Sequence, residues 1–212
     1  MVPAQQLVLT VYRIPFSTNV ERIALAAGHK GLTVEWIDVD PADRSPVTGV
    51  SGQPLVPVLV AGDEVVTDSP VIVDWLERHA PEPALYPREP ALQATVRIFV
   101  EWFNHVWKRA PNLIAAEEEK PEPDQARIAE LGARVRRSLD LFETLLDGRD
   151  YLFGVFGAAD VMAFPFLKYG VFGTRPEDDE RFHEILVEHL EIGGGYPRLR
   201  AWAERVDGHR RS

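Results

Sequence analysis

The sequence predicts a small α/β domain followed by an all-helical domain, and three observations support this prediction. The first 80 residues alternate β-rich apolar runs with helical segments in the order βαβ, a connecting segment, then ββα. From residue 91 onward, apolar side chains recur at spacings of three and four. Between these regions, residues 80–90 contain four prolines, which cannot sustain a helix. We therefore expect domains at 1–80 and 91–212, joined by a Pro-rich linker at 81–90.

A strand, a helix and a second strand open the first domain. Residues 7–12 and 33–39 are β-rich runs, and residues 22–27 between them are helical, with Gly28 and Gly31 available to end the helix. A right-handed crossover through this helix makes the two strands parallel.

An antiparallel hairpin and a further helix complete this domain. Residues 56–61 and 64–67 form β-rich runs separated by a two-residue Gly-Asp loop, which is typical of tight hairpins. Ser69 then suits the cap of a helix and Pro70 its first position, where a missing N–H costs little.

Pro57 stands at the start of a strand that we expect to be central. Proline cannot donate a hydrogen bond to a neighbouring strand, so its presence there needs an explanation. A cis Val56-Pro57 peptide at the strand entrance is one explanation, and a trans proline at the first residue of the strand is the other.

The second domain consists of amphipathic helices around one apolar helix. Residues 91–114 carry one apolar stripe, and a long helix capped by Asp124 follows. Residues 161–167 are apolar all round, which indicates the core helix of this domain, with Pro165 kinking or ending it. Two more amphipathic segments follow toward the end of the chain.

Composition excludes several classes of protein. The net charge of −10 argues against nucleic acid as a partner, because phosphate binding needs a basic face. The chain has no cysteine, and His183 and His189 lie too far apart to share a helix face, so we expect no metal site and interpret both as surface residues. No apolar run approaches the roughly 20 residues that span a bilayer, and no secretion signal is evident, so the expected location is cytoplasmic.

A lone hydroxyl stands where the first strand gives way to the first helix. This hydroxyl belongs to Ser17, five residues before Arg22. Backbone N–H groups in a first helical turn have no intrahelical partner and the helix dipole is positive there, so a thiolate or oxyanion beside Ser17 is favoured. Serine is also a common helix cap, and a purely structural cap is the alternative interpretation.

Four features in this order make the chain resemble the glutathione transferase family. They are Ser17 ahead of Arg22, the segment Leu55-Val-Pro-Val-Leu59, the pair Asp68-Ser69 before a helix, and Gly157-Ala-Ala-Asp160 before the apolar run. The resemblance covers nearly the whole chain and implies a thioredoxin-like first domain. Two departures matter: Gly157 replaces the family's capping hydroxyl, and the absence of cysteine leaves only the branches with a serine-type active site, or the tyrosine type if Tyr12 acts instead.

The resemblance implies that glutathione is a co-substrate and that no prosthetic group is needed. Ser17 would donate a hydrogen bond to the sulfur and lower the pKa of the thiol for attack on a small apolar electrophile. Asp68 and Ser69 would hold the γ-glutamyl end of glutathione. The backbone of Val56, oriented by Pro57, would pair with the cysteinyl portion. The resemblance also implies a homodimer.

Several further residues are weaker candidates. Gln53 stands roughly where relatives carry a polar residue for the glycyl carboxylate, and Arg13 lies near the same predicted site. Tyr12 is an alternative activating hydroxyl, but it belongs to the strand, whereas Ser17 lies beside the helix start. The aromatic candidates for an apolar co-substrate pocket are Tyr12, Trp102, Phe103, Trp107 and Tyr169, and ordinary core packing is the alternative for them.

Two other functions remain open at this point. The same thiol site could serve a glutathione-dependent isomerase or dehalogenase. The fold could also serve as a non-catalytic interaction module, because a fold does not imply a function.

Overall fold

The computed structural model describes residues 8–212, which form two compact units. The first unit extends to Leu85 and includes His209–Ser212, and the second is Tyr86–Gly208. The boundary falls within the stretch predicted as a linker. The last four residues join the first unit, whereas the sequence had placed them in the helical domain.

The first unit is a mixed sheet with helices, in the predicted order. Its elements are β1 (Leu9–Arg13), α1 (Thr18–His29), β2 (Val34–Asp38), α2 (Ser45–Ser51), β3 (Val58–Ala61), β4 (Glu64–Thr67) and α3 (Ser69–His79). The described strands are ordered β2-β1-β3-β4, with β1 and β2 parallel and the other pairs antiparallel. This confirms the thioredoxin-like βαβ-ββα prediction. Leu7, the first residue of the predicted strand, lies outside the described residues.

Local details of this unit differ from the predictions in three places. Helix α2 was not predicted, because it is short and buries only Val47, so it shows no helical periodicity. Gly28 lies inside α1, and Gly31, with φ of 65°, follows its end. Asp68 occupies the cap position of α3, so Ser69 is the first helical residue and not its cap.

The second unit is entirely helical in its regular structure. Its elements are α4 (Pro90–Trp102), a π-helical stretch (Phe103–Trp107), α5 (Arg109–Glu118), α6 (Gln125–Leu145), α7 (Ala158–Leu167), α8 (Tyr169–Phe172), α9 (Arg181–Leu190) and α10 (Pro197–Asp207). Asp124 caps α6 as predicted, accepting hydrogen bonds from the N–H groups of Ala126 and Arg127 at 3.0 and 3.1 Å. Every residue of α7 is buried, which confirms it as the core helix. Pro165 does not end α7, which continues to Leu167.

The π-helical stretch changes which residues face the interior. The Lys108 N–H donates to the Phe103 carbonyl at 3.0 Å, a bond that spans one residue more than an α-helical turn. The extra residue shifts the apolar stripe by one position. Trp107 is therefore only 5% exposed, whereas Val106, one residue before it, is 41% exposed.

Asp160 is the polar centre of the helical unit. It is fully buried at the start of α7, and its carboxylate accepts hydrogen bonds from Leu152 N (3.0 Å), Gly157 N (3.0 Å) and Trp202 Nε1 (2.7 Å). Burial raises the pKa of this carboxyl to about 6, although the hydrogen bonds act in the opposite direction. Gly157 has no side chain to complete a reciprocal cap, so Asp160 alone ties these three segments together.

The histidine interpretation needs one correction. His183 is buried, not on the surface, because its Nδ1 contacts Asp178 Oδ1 at 2.7 Å and its ring stacks on Tyr169. Across residues 8–212, no group of histidine and acidic side chains is arranged to hold a metal ion. The same residues include no helix long and apolar enough to span a bilayer.

Candidate functional site

Ser17 occupies the N-cap position of α1. Its carbonyl accepts from the Glu21 N–H at 3.0 Å, and Phe16 before it has a φ of 64°, which turns the chain sharply from β1 into the helix. Within the described residues, the Ser17 side chain makes no capping hydrogen bond. Its half-buried hydroxyl stands beside a first turn whose N–H groups favour an anion.

The sheet register brings three predicted segments to one edge. Tyr12 near the end of β1 pairs with Val58 at the start of β3, and Val58 in turn pairs with Thr67 at the end of β4. The segments that adjoin these three residues are therefore neighbours. They are the turn carrying Ser17, the dipeptide Val56-Pro57, and the pair Asp68-Ser69.

Val56-Pro57 has a cis peptide bond, so the first of the two explanations for a proline at this position is correct. Pro57 is buried immediately before β3, whereas Val56 is half-buried. Val56 and Tyr12 pack against an apolar cluster formed by Ile14, Val39, Val47 and Val58. This cluster supports the same edge of the sheet at which Ser17 lies.

Asp68 and Ser69 present different groups at the start of α3. Asp68 is exposed, with a φ of 69°, so its carboxylate is accessible. Ser69 is 2% exposed, and its hydroxyl oxygen already accepts a hydrogen bond from Arg22 Nη1 at 3.0 Å. Ser69 therefore offers mainly its backbone N–H, at the positive end of α3.

Arg22 and Asn19 are members of this site that sequence reasoning did not assign a role. Arg22 is fully buried, and its Nη1 also donates to Asn19 Oδ1 at 3.2 Å. Burial lowers the pKa of the Arg22 guanidinium to about 9, an effect that nearby Asp68 partly offsets, so the group stays charged at neutral pH. The available signal was the spacing of three between Asn19 and Arg22, which places them on one helix face.

Two of the weaker candidates are engaged elsewhere in the first unit. The Gln53 amide donates to Ser51 Oγ (3.2 Å) and to the Leu55 carbonyl (2.9 Å), while its oxygen accepts from the Leu55 N–H at 2.6 Å. Gln53 thus shapes the loop that leads to Val56. Arg13 pairs with Asp38 of β2 at 2.5 Å.

The aromatic candidates of the helical unit divide into two groups. Phe103, Trp107 and Tyr169 are at most 5% exposed, and Phe103 stacks on Trp107 at 4.5 Å, so the core alternative applies to these three. Trp102 is half-buried and, with Ile98 and Val106, lines an open apolar groove of about 470 Å³.

These groups combine a region that favours negative charge with one that favours positive charge. The N-termini of α1 and α3, with the buried Arg22, favour negative charge. The exposed Asp68 carboxylate favours an ammonium group. A hydroxyl at Ser17 can donate a hydrogen bond to an anionic atom held beside α1.

Comparison with known families and proteins gives a consistent result. Models of the glutathione S-transferase N-terminal domain and C-terminal domain match residues 11–84 and 125–205. The chain is 26% identical over 157 residues to the FtsZ-localized protein A of Caulobacter vibrioides, covering 68% of this chain and 69% of that protein. It is 29% identical over 161 residues to glutathione S-transferase 3 of Zea mays, covering 69% and 70%.

A shorter match involves an isomerase. The chain is 30% identical over 93 residues to the maleylpyruvate isomerase of a Ralstonia species, a stretch that is 42% of this chain and 44% of that protein. The relatives therefore include both transferases and an isomerase.

Solved structures share the fold. A glutathione S-transferase from Methylobacillus flagellatus with glutathione bound has a TM-score of 0.76 over 93% of each chain, at 24% identity. The tau class enzyme of mango, Mangifera indica, has a TM-score of 0.77 over 95% of this chain and 89% of that chain, at 19% identity. Since both halves of the chain match the family models and the whole fold matches such structures, the chain belongs to the glutathione S-transferase family.

Proposed function

We propose that this protein is a glutathione transferase that activates the thiol of glutathione at Ser17 for attack on a small apolar electrophile. The observation that carries the proposal is the position of the Ser17 hydroxyl, at the start of α1 and without a capping bond in the described structure. It lies at the same edge of the sheet as the cis-proline and Asp68. A plain helix cap would instead direct its hydroxyl to the first turn.

The Ser17 hydroxyl donates a hydrogen bond to the glutathione sulfur and stabilises the thiolate. A free thiol has a pKa near 8.5, and a helix N-terminus and a hydrogen-bond donor both lower it. Serine keeps its own proton throughout. The thiol proton passes to water, and the thiolate sulfur then forms a bond to carbon of the electrophile. In a substitution the leaving group departs with the electron pair of its bond to that carbon. In an addition the π electron pair of the electrophile moves onto its activating group and takes up a proton from water.

The remaining contacts hold glutathione by its backbone and its charged ends. The ammonium of the γ-glutamyl group pairs with the Asp68 carboxylate. The carboxylate of the same γ-glutamyl group accepts a hydrogen bond from the Ser69 N–H at the start of α3. The cysteinyl portion of glutathione pairs with the backbone of Val56 in the manner of a short added strand, and Pro57 sets the direction of that backbone. The electrophile is apolar in class.

Because the similar proteins include an isomerase as well as transferases, the assay must separate these reactions. An isomerase or a dehalogenase would use the same thiolate, and the match to a maleylpyruvate isomerase makes isomerisation the reaction to assay beside conjugation. We further propose a homodimer in the cytoplasm, for which light scattering should give about twice the 23.8 kDa of one chain.

Ser17→Ala tests the catalytic role. A hydrogen bond to a charged group contributes about 1.5–3 kcal/mol, so the pKa of bound thiol should rise by roughly one to two units. We expect kcat/KM at neutral pH to fall about tenfold or more, with recovery at higher pH. Thr95→Ala, which removes an exposed hydroxyl from α4, is the matched control.

Binding is tested separately by thermal stability. Glutathione at about a hundred times its Kd should raise the Tm by roughly 5–10 °C. If Ser17→Ala keeps wild-type turnover while Tyr12→Phe does not, then the hydroxyl that activates the thiol belongs to Tyr12 and not to Ser17. If glutathione binds and no electrophile or isomerisable substrate turns over, the interaction module becomes the better proposal.

A further inference from the structure

Two buried cations, one within α1 and one just after it, reach the two ends of α3. Near the start of α1, Arg22 Nη1 donates to Ser69 Oγ, at the first residue of α3. Just past the end of α1, Lys30 Nζ pairs with Glu77 at 2.6 Å and donates to the Ala80 carbonyl at 2.5 Å. Both side chains are buried, so each fixes one end of the same helix pair.

The contact at the Arg22 end is made by side chains that adjoin the candidate site. Asn19 accepts from Arg22 at 3.2 Å and lies 3.4 Å from the Ser69 hydroxyl, so the three side chains form one cluster. Arg22 lies in α1 and Ser69, 47 positions later, is the first residue of α3, so their hydrogen bond joins the two helices directly. Charge-assisted hydrogen bonds in a buried setting are strong and directional.

The orientation of Ser69 determines where the ligand-facing groups of α3 lie. Asp68 precedes Ser69, and the N–H of Ser69 belongs to the first residue of the helix. Holding the Ser69 side chain from inside the protein therefore fixes the Asp68 carboxylate and the Ser69 N–H relative to α1. Ser17, at the other side of the site, belongs to the same α1 that carries Arg22.

We propose that Arg22 is a positioning residue for the glutathione site, acting through the Ser69 hydroxyl to hold the γ-glutamyl contacts at a fixed distance from Ser17. The inference rests on the proposed function. Arg22 itself is buried behind Ser69 and does not touch the substrate. Its loss should therefore weaken binding of glutathione more than it slows the chemical step.

The decisive variants are Arg22→Gln and Arg22→Lys, assayed for glutathione KM and kcat. We expect Arg22→Gln to raise the KM for glutathione about tenfold and to leave kcat at saturation within about twofold of wild type. The reason is that the substitution weakens binding of the ground state and of the transition state equally. Arg22→Lys keeps the charge without the planar fork and should restore part of this loss. Lys30→Met is the matched control, because it removes the buried cation from the other end of α3, and it should lower the Tm while leaving KM within twofold.

A double-mutant cycle separates positioning from general destabilisation. If Arg22 acts through Ser69, then Arg22→Gln with Ser69→Ala should have a KM no higher than Arg22→Gln alone. Should Arg22→Gln not fold, the cycle of Asn19→Ala with Ser69→Ala measures the same cluster, and we expect its effects on KM to be non-additive by about threefold.

The outcomes distinguish this inference from the proposed function. Wild-type KM in Arg22→Gln, or additive effects in the cycle, refutes the role of Arg22 and leaves the transferase proposal intact. A tenfold change in kcat with unchanged KM would also overturn it, because that pattern indicates a group acting on the transition state. If the unmodified chain binds no glutathione, the proposed function fails and the assignment of Arg22 fails with it.

Discussion

Each unit of this protein has a fully buried charged side chain near the start of a helix, Arg22 in the first and Asp160 in the second, and these two differ in what they bind. Arg22 of the first unit donates to the side chains of Ser69 and Asn19. Asp160 of the second unit accepts from two backbone N–H groups and the Trp202 indole. Burial disfavours the charged form of both, lowering one pKa and raising the other.

Under the proposed function, this difference separates a buried charge that positions a ligand site, Arg22, from one that stabilises the fold, Asp160. Two of the partners of Asp160 are backbone N–H groups at a loop and a helix start, and the third is a buried indole, so its hydrogen bonds stabilise the fold of the helical unit. The partners of Arg22 are side chains next to groups that face the candidate site. We therefore expect changes at Asp160 to alter stability and changes around Arg22 to alter binding.

The largest effect should follow Asp160→Ala. The substitution leaves the N–H groups of Leu152, Gly157 and Trp202 buried without their acceptor, which costs about 1–3 kcal/mol for each such group and is not additive. We expect the free energy of unfolding, measured with urea, to fall by roughly 3–5 kcal/mol. Asp150→Ala is the control, because that carboxylate is exposed and pairs with Arg205 at the surface, so it should cost less than about 1 kcal/mol.

The pH dependence of stability should reveal Asp160 directly. Its folded pKa of about 6 lies above the ordinary value of 3.8, so the folded state binds a proton that the unfolded state has released between these values. The stability due to this group is therefore complete below about pH 4 and is lost as the pH rises through 6. The change is on the order of 3 kcal/mol.

Asp160→Asn isolates this titration from the other carboxylates. The difference in unfolding free energy, wild type minus Asp160→Asn, should increase as the pH falls from 7 toward 4. A difference that is constant, or that decreases over this range, would show that the hydrogen bonds to the carboxylate outweigh its burial.

Two buried glycines offer a smaller comparison between the units. A Cβ at Gly28 would collide with the backbone carbonyl of Arg210, whereas one at Gly132 would meet the ring of His189. Backbone cannot move aside as readily as a side chain, so Gly28→Ala should destabilise by about 1–3 kcal/mol. Gly132→Ala should lie within about 1 kcal/mol of wild type, because the ring can rotate and alanine favours the helix. If Gly28→Ala and Gly132→Ala lower the free energy of unfolding in urea equally, the difference expected between backbone and side-chain neighbours is contradicted.

The smallest expected effect is that of Asp160→Asn on glutathione binding. If Asp160 serves only the fold of the helical unit, the Kd for glutathione, measured by calorimetry, should stay within about twofold of wild type. A tenfold weaker Kd in a folded Asp160→Asn variant would remove the distinction between the two buried charges.

Local chemistry made part of the fold and part of the site predictable. The cis bond before Pro57 was predictable because a proline at the start of a central strand needs a special geometry, and Asp124 because a side-chain oxygen satisfies helix N–H groups at close range. Phe103, Trp107 and Tyr169 could not be placed in this way. Their apolar rings suit a pocket and a core equally, and the packing of neighbouring helices decides between them.

The sequence by itself determined the order of the elements, the division into an α/β and a helical part, and the segments that carry the candidate site, because hydrophobic periodicity and capping act between residues close in the chain. Only the tertiary structure decided that Arg22 meets Ser69, that a π-helical stretch turns Trp107 inward, and that the last four residues pack with the first unit. Periodicity records which face of an element is apolar. It does not record which distant element covers that face, and buried polar contacts such as that of Arg22 form only once two elements have packed together.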